Sequence, residues 1–251
     1  MSTRSAEFRE EILRAERELC VQPHYDDNDI AAGGTFAQLA DAGIEVHYLT
    51  VTDNIAGVLD PDLSDAKALA QTRDEQDEAG REVGVHAQHR LDLPDAGEWS
   101  EVVLRTRVIE HIRRVRPDYV FTCDPWLPHE AHRDHLRTGI AVGEAVMFHG
   151  MPRFETLPEV DDGYVPHDIR GLVLYFTTDS NTAFDVSETR ARKHRAIDAY
   201  RAQLQGDSLA GLHAGIGLME QRWGEPEGFA HAEVFKLLRP GQLHVGLAPR
   251  R

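Results

Sequence analysis

Cysteine is scarce: there are 2 in 251 residues, Cys20 and Cys123. That excludes a disulfide scaffold and a cysteine-rich zinc finger. Both lie in apolar runs, where a thiol behaves as a small core residue. Basic charge is also short. The chain has 43 acidic side chains and 27 basic ones, a net charge of −16 with histidines neutral. A general nucleic-acid binder, or a protein drawn to anionic membranes, needs a basic face that this balance does not supply. No apolar run approaches the roughly 18 residues of a membrane-spanning helix. The segment from Met1 to Glu18 is dominated by charge and lacks the apolar stretch of a secretory signal, so a cytoplasmic location is expected. The first apolar run is followed by acids, not by the Gly-x-Gly-x-x-Gly turn that would cradle a dinucleotide phosphate. Internal repeats and low-complexity tracts are missing too.

The rest of the composition is ordinary for a soluble globular protein: 41% hydrophobic and 28% charged. The length suffices for one α/β domain with a sizeable core, and no segment reads as a domain boundary, so 1–251 is taken as a single domain. Hydrophobic periodicity gives the elements. Ala6 to Glu18 reads as a polar helix, and the short apolar run Leu19–Val21 as a strand buried on both faces. Ile30 to Ala42 is helix-like, with Gly43 as its stop. Glu45 to Thr52 is rich in β-formers. Asp65 to Val83 reads as a charged helix between Ser64 and Gly84. Val102 to Val115 carries Leu104, Val108, Ile112 and Val115 at helical spacing. A strand at Tyr119–Thr122, a helix at His132–Phe148 and a strand at Leu172–Phe176 follow. Ser187 is positioned to cap a helix running to about Gln203. This alternation predicts βαβ units in a three-layer α/β/α sandwich with a mostly parallel, Rossmann-like sheet. Gly150–Arg170 and Gly206–Gly228 read as long loops, suited to covering a substrate or to contacts in a homo-oligomer.

The chemistry concentrates in two segments at strand ends, where open α/β sheets bind their ligands. One is Pro23-His24-Tyr25-Asp26-Asp27-Asn28-Asp29. The other runs from Cys123 to His135 and ends in His132-Arg133-Asp134-His135. Three acids crowded into residues 26–29 repel one another, and a divalent cation relieves that repulsion. His24 and Asp27 are three apart at a strand-to-helix turn, so both can reach one ion. His132 and His135 share a helical face, so one can bind while the other stays close. Two histidines and a carboxylate with an open position suit catalytic zinc and an activated water. A neighbouring carboxylate off the metal would serve as general base. The bland alternative is that Asp26, Asp27 and Asp29 only favour the start of a helix. The other eleven histidines read as surface or packing residues.

At these residues the sequence resembles the PIG-L/LmbE family of zinc-dependent deacetylases of N-acetylglucosamine compounds. The family's Ala-His-Pro-Asp-Asp-Glu pattern stands here as Pro23-His24-Tyr25-Asp26-Asp27-Asn28, followed by Gly33-Gly34-Thr35. Its His-x-Asp-His pattern is His132 to His135. Weaker echoes include Thr52-Asp53, Arg73 with Glu75, Leu93-Pro94-Asp95, Phe184-Asp185-Val186-Ser187 and Ala232-Glu233-Val234-Phe235. Tyr25 and Asn28 depart from the family's proline and glutamate. In the late signature, Tyr200 and Ala202 replace a histidine and a serine between Lys193 and Gln203.

The resemblance implies that His24, Asp27 and His135 bind Zn2+, that Asp26 is the general base, and that His132 stabilises the oxyanion. It makes Arg73 and Asp95 substrate contacts, and it puts Asn28 at the border of the site, where it would shape substrate choice. The activity implied is hydrolysis of an N-acetyl group on a small N-acylated sugar or glycoconjugate. Two rivals stand beside it. A non-catalytic carbohydrate-binding protein would need neither Asp26 nor His132. An Fe(II) enzyme would use the same donor types, but normally as His-x-Asp on a β-barrel.

Overall fold

A computed structural model describes residues 3–245. Helix α1 (Thr3–Ile12) leads into strand β1 (Arg17–Gln22), and α2 (Asp27–Asp41) into β2 (Glu45–Thr52). Then come α3 (Asp65–Val83), β3 (Ala87–Leu93), α4 (Glu101–Val115), β4 (Tyr119–Cys123), α5 (Arg133–Phe148) and the single turn α6 (Pro158–Asp161). The chain ends with β5 (Gly171–Tyr175), β6 (Thr182–Asp185), α7 (Arg190–Asp198), α8 (Gly206–Gly224) and β7 (Ala232–Leu238). The strands form one sheet in the order β3-β2-β1-β4-β5-β7-β6. The first five are parallel, and β7 runs antiparallel to both β5 and β6. The expected three-layer sandwich is therefore present, with a mostly parallel sheet.

The two-residue period of the strands divides the core. In β1, Cys20 packs with Phe36, Tyr48 and Phe121 on the face covered by α2 and α7. Leu19 and Val21 pack with Leu49, Val51, Val108, Ile112 and Val142 on the face covered by α4 and α5. Full burial of each such side chain is worth roughly 1.5–3 kcal/mol. Both cysteines are buried, as their apolar surroundings require. No helix among the described residues is long and apolar enough to cross a membrane.

Five sequence expectations need correcting. The first helix ends at Ile12, and β1 already begins at Arg17, because Arg17 and Glu18 pair with Glu45 and Val46 of β2. Strand β3 escaped the sequence reading, since Gln88, Arg90 and Asp92 break its apolar pattern; it is the sheet's edge strand and most of it is half-exposed. Ser187 does not cap α7. Its hydroxyl donates to Asp185 Oδ1 at 2.6 Å, and the helix starts later, at Arg190. Residues 206–224 are helix, not loop. Five glycines depress helix propensity there, and tertiary contacts overcome that cost. Lys193 Nζ donates to Glu220 Oε1 on α8 at 2.9 Å and to Glu233 Oε1 on β7 at 2.7 Å, with all three side chains buried. Arg190 Nε reaches Glu220 Oε2 at 3.1 Å, so two cations face two carboxylates. The Gly33-Gly34-Thr35 motif serves this same junction. The Gly34 and Thr35 amides donate to Glu233 at 3.0 and 2.7 Å, and a Cβ on Gly34 would lie 2.8 Å from Val186 Cβ. The other stretch read as a loop, 150–170, carries α6. Its Asp161 pairs with Arg113 of α4 at 2.5 Å.

Candidate metal centre

The strand order reverses between β1 and β4, which is the switch point where ligands bind in open α/β sheets. His24 leaves the carboxyl end of β1, and Asp27 opens α2. His132 occupies the N-cap position of α5 without a side-chain cap bond, and His135 lies in that helix's first turn. The α5 terminus is pressed against the end of β4. Cys123 Sγ donates to the His135 carbonyl at 3.1 Å, and a Cβ on Gly139 would come within 2.7 Å of the Cys123 carbonyl. Only glycine at 139 lets the histidine-bearing helix approach this closely.

Donor atoms of His24, Asp27 and His135 all lie within 4.8 Å of one another. Asp27 joins the two rings: its Oδ2 is 3.2 Å from His24 Nδ1, and its Oδ1 is 3.4 Å from His135 Nε2. The His24 amide also donates to Asp27 Oδ2 at 2.8 Å, which fixes that carboxylate. The His132 ring stands 4.6 Å from His24 and 4.9 Å from His135, centroid to centroid. Asp134, 1% exposed, accepts from the Ala96 amide at 2.9 Å and lies 3.7 Å from His24 Nε2. Asp95 Oδ1 is 3.2 Å from the same nitrogen but out of line, so His24 Nε2 has no hydrogen-bond partner.

These surroundings set the charge states. Burial pulls His24 down, but the carboxylates of Asp134, Asp27 and Asp95 outweigh it and hold the ring up at about 12. Burial, reinforced by Asp27, pushes Asp26 up to about 7. His132 is held below its ordinary value by burial and then by its two histidine neighbours. A cluster this acidic holds a cation. With protein groups alone that cation is the imidazolium of His24, and a divalent ion fits the same donors with His24 neutral. The donor chemistry, two imidazoles whose nitrogens face one carboxylate, fits a bound metal ion.

The three acids of residues 26–29 have separate fates. Asp27 bridges the two histidines. Asp29 accepts from Tyr48 at 2.8 Å and from Tyr200, inside the core. Asp26 sits at the N-cap position of α2 with no side-chain cap bond, and it lines a polar cavity of about 400 Å³ with His24, Asp27, Asn54, Asp95 and His132. An apolar cavity of about 490 Å³ adjoins His135 and is walled by Phe176, Ile216, Met219 and Trp223, three of them from α8.

The implied substrate contacts separate likewise. Asp95 is in the polar cavity, against His24. Arg73 does not line either cavity; its Nη2 donates to Asp92 at 2.6 Å. Asn28 is fully buried, and its Nδ2 donates to the Cys20 carbonyl at 3.2 Å. It therefore supports the turn beneath the cavity and does not border it, because α2 begins at Asp27 and turns position 28 toward β1. Sequence reasoning missed the placement of Asp134, within the His-x-Asp-His pattern itself. It also missed Asn54, whose Nδ2 donates to Gln203 Oε1 at 3.0 Å across the cavity wall. Asp134 was legible as the middle acid of that pattern; Asn54 and Gln203 are 149 residues apart and gave no local signal.

The fold and the site define an α/β protein with a histidine–aspartate centre, competent to bind a metal ion, at the switch point of its sheet. The comparisons give the family. A model described as PIG-L, GlcNAc-PI de-N-acetylase, matches residues 19–146. Over 227 residues, 90% of this chain and 85% of the relative, the sequence is 32% identical to diacetylchitobiose deacetylase of Thermococcus kodakarensis. The structure matches N,N'-diacetylchitobiose deacetylase from Pyrococcus horikoshii, solved with its inhibitor MPG, with a TM-score of 0.87 and 32% identity over 97% of this chain and 93% of that one. A 1D-myo-inositol 2-acetamido-2-deoxy-alpha-D-glucopyranoside deacetylase of Segniliparus rotundus is 32% identical over 164 residues, 52% of this chain and 50% of the relative. The chain belongs to the PIG-L family.

Proposed function

We propose that this protein is a zinc-dependent hydrolase that removes the acetyl group from the nitrogen of N-acetylglucosamine-containing small molecules. The observation that carries the reading is the division of labour between adjacent acids: Asp27 is spent on His24 and His135, while Asp26 is uncommitted in the cavity beside them. The relatives' named activities supply the substrate class.

His24, Asp27 and His135 are the residues that would hold zinc, which when bound polarises an acetyl carbonyl and acidifies a water. Asp26 accepts the proton of the attacking water and passes it to the departing amine, a share typically worth 10²–10⁴-fold. The His132 ring N–H donates to the carbonyl oxygen as negative charge builds there. The carboxylates of Asp95 and Asp134 face His24 Nε2 and balance its charge, leaving Asn54 and Gln203 to meet sugar hydroxyls. The walls of the apolar cavity, Trp223 and Phe176 among them, suit the apolar face of a sugar ring.

The test joins metal analysis of the purified protein to an acetate-release screen. The panel holds N-acetylglucosamine, N,N'-diacetylchitobiose, an N-acetylglucosaminyl inositol and, as a control, an acetyl-lysine peptide. Acetate release from the sugars, dependent on zinc and absent with the peptide, is expected. Zinc-loaded protein that binds these sugars and releases no acetate would convert the reading to that of a non-catalytic sugar binder.

A further inference from the structure

A second group of metal-ligating side chains lies at the amino-terminal end of β2 and β3, the opposite end of the sheet from the cavity. Glu45 and His47 are two apart on β2, so they project from the same face. His86 immediately precedes β3, and its amide donates to the Val46 carbonyl at 2.8 Å, which fixes it beside them. Donor atoms of Glu45, His47 and His86 all lie within 4.8 Å of one another. His47 Nε2 is 3.6 Å from Glu45 Oε2, and the His47 and His86 rings are 5.0 Å apart.

His47 is the unusual member. Its side chain is 12% exposed, yet neither ring nitrogen has a hydrogen-bond partner. A buried polar group without a partner forfeits roughly 1–3 kcal/mol, so such atoms call for an explanation. The adjoining ring, His89, stacks on His47 at 5.9 Å and 6°, and its Nε2 is likewise buried and unpartnered. Ligand atoms around one tetrahedral zinc ion stand about 3.3 Å apart, given bonds near 2.0–2.1 Å. Glu45 and His86 are at the surface, so small side-chain rotations close the remaining gap.

We propose that Glu45, His47 and His86 form a second site for a divalent transition-metal ion of the zinc type, with water in the fourth position, separate from the catalytic cluster. Two imidazoles and a carboxylate select this class over Mg2+ or Ca2+, which take oxygen donors. The ion clamps β2 to the start of β3, the edge strand paired to β2 alone. Strand β3 then runs on to the loop that carries Asp95 and Ala96 into the cavity.

The experiment counts metal in four full-length proteins: wild type, His86→Gln, His135→Ala, and the variant carrying both changes. Each is dialysed against zinc buffered at micromolar free concentration, analysed for bound zinc, and melted with and without zinc. His135→Ala removes a ligand of the cavity site, and the zinc lost on adding His86→Gln, with the melting shift it causes, reports the second site. One zinc per chain in His135→Ala, lost together with the melting shift in the double variant, is the expected result. His86→Gln alone should lose that zinc and keep its acetate-releasing rate. Two results overturn the proposal: His135→Ala protein without zinc, or a double variant that keeps as much zinc as His135→Ala. Position 86 is exposed, so Gln there does not disturb the core. His47→Gln is a second arm, read by the same count.

Discussion

His24 at one end of the sheet and four histidines at the other are held in opposite states. At the carboxyl ends of β1 and β4, carboxylates surround His24 closely enough to hold it up at about 12 despite burial. At the other end, His47, His89 and His111 of β2, β3 and α4, and His149 after α5, are all held below their ordinary values by burial. Burial acts on both groups; the difference is the number of carboxylates within reach. An imidazole ringed by acids carries a cation of some kind. One buried among other imidazoles and apolar side chains stays neutral, as a lone pair or as a cost at low pH.

The largest effect should come from emptying the acid-rich end. Chelation, or His24→Ala, is expected to abolish acetate release, with recovery on zinc addition only in the wild type; activity that survives exhaustive chelation would break the comparison there. Asp26→Asn removes the proposed proton acceptor and leaves Asp27 in place. It should retain zinc while the rate falls about 10²–10⁴-fold. Loss of metal in that variant would mean that Asp26 and Asp27 have exchanged roles.

The neutral end is tested by pH. His149 is held down to about 4 from an ordinary 6.5, by burial and then by His167 and Arg113. Between those values the unfolded chain takes up a proton that the folded one refuses. Stability should therefore fall as pH drops from 6.5 toward 4 and level off below, by at most about 3 kcal/mol from this residue. Denaturant titrations across that range should show the slope flatten in His149→Gln; an unchanged slope would assign the acid sensitivity elsewhere.

Two smaller effects separate support from contact at the acid-rich end. Asn28→Glu buries a carboxylate and loses the bond to the Cys20 carbonyl. It should cost roughly 1–3 kcal/mol in the urea midpoint and leave the ratio of rates among N-acetyl sugars unchanged. Altered ratios would return Asn28 to the cavity border. Arg73→Ala breaks a pair with Asp92 in which each side chain is 38% exposed. It should shift stability by less than about 1 kcal/mol, and a large rise in KM would show that Arg73 leaves Asp92 for the substrate.

The amino-acid sequence by itself determined the parts whose signal is local. Strand Glu45–Thr52 and helix Asp65–Val83 were legible to the residue, because uninterrupted β-formers and helical spacing between a start and a glycine stop are properties of neighbours along the chain. The pairing of His24 and Asp27 with the His132–His135 segment was legible because a parallel sheet brings successive strand ends to one edge. Only the tertiary structure decided the rest. It made a helix of the glycine-rich 206–224 segment, since the buried Lys193–Glu220–Glu233 contacts come from three separate elements. It turned Asn28 into the core and left Asp26 in the cavity, since two residues of helix advance swing a side chain by about 200°. It also gathered Glu45, His47 and His86, which lie 41 positions apart in sequence (45 to 86), against one strand end. Side-chain direction and long-range contact depend on which surfaces are buried together, and no local spacing encodes that.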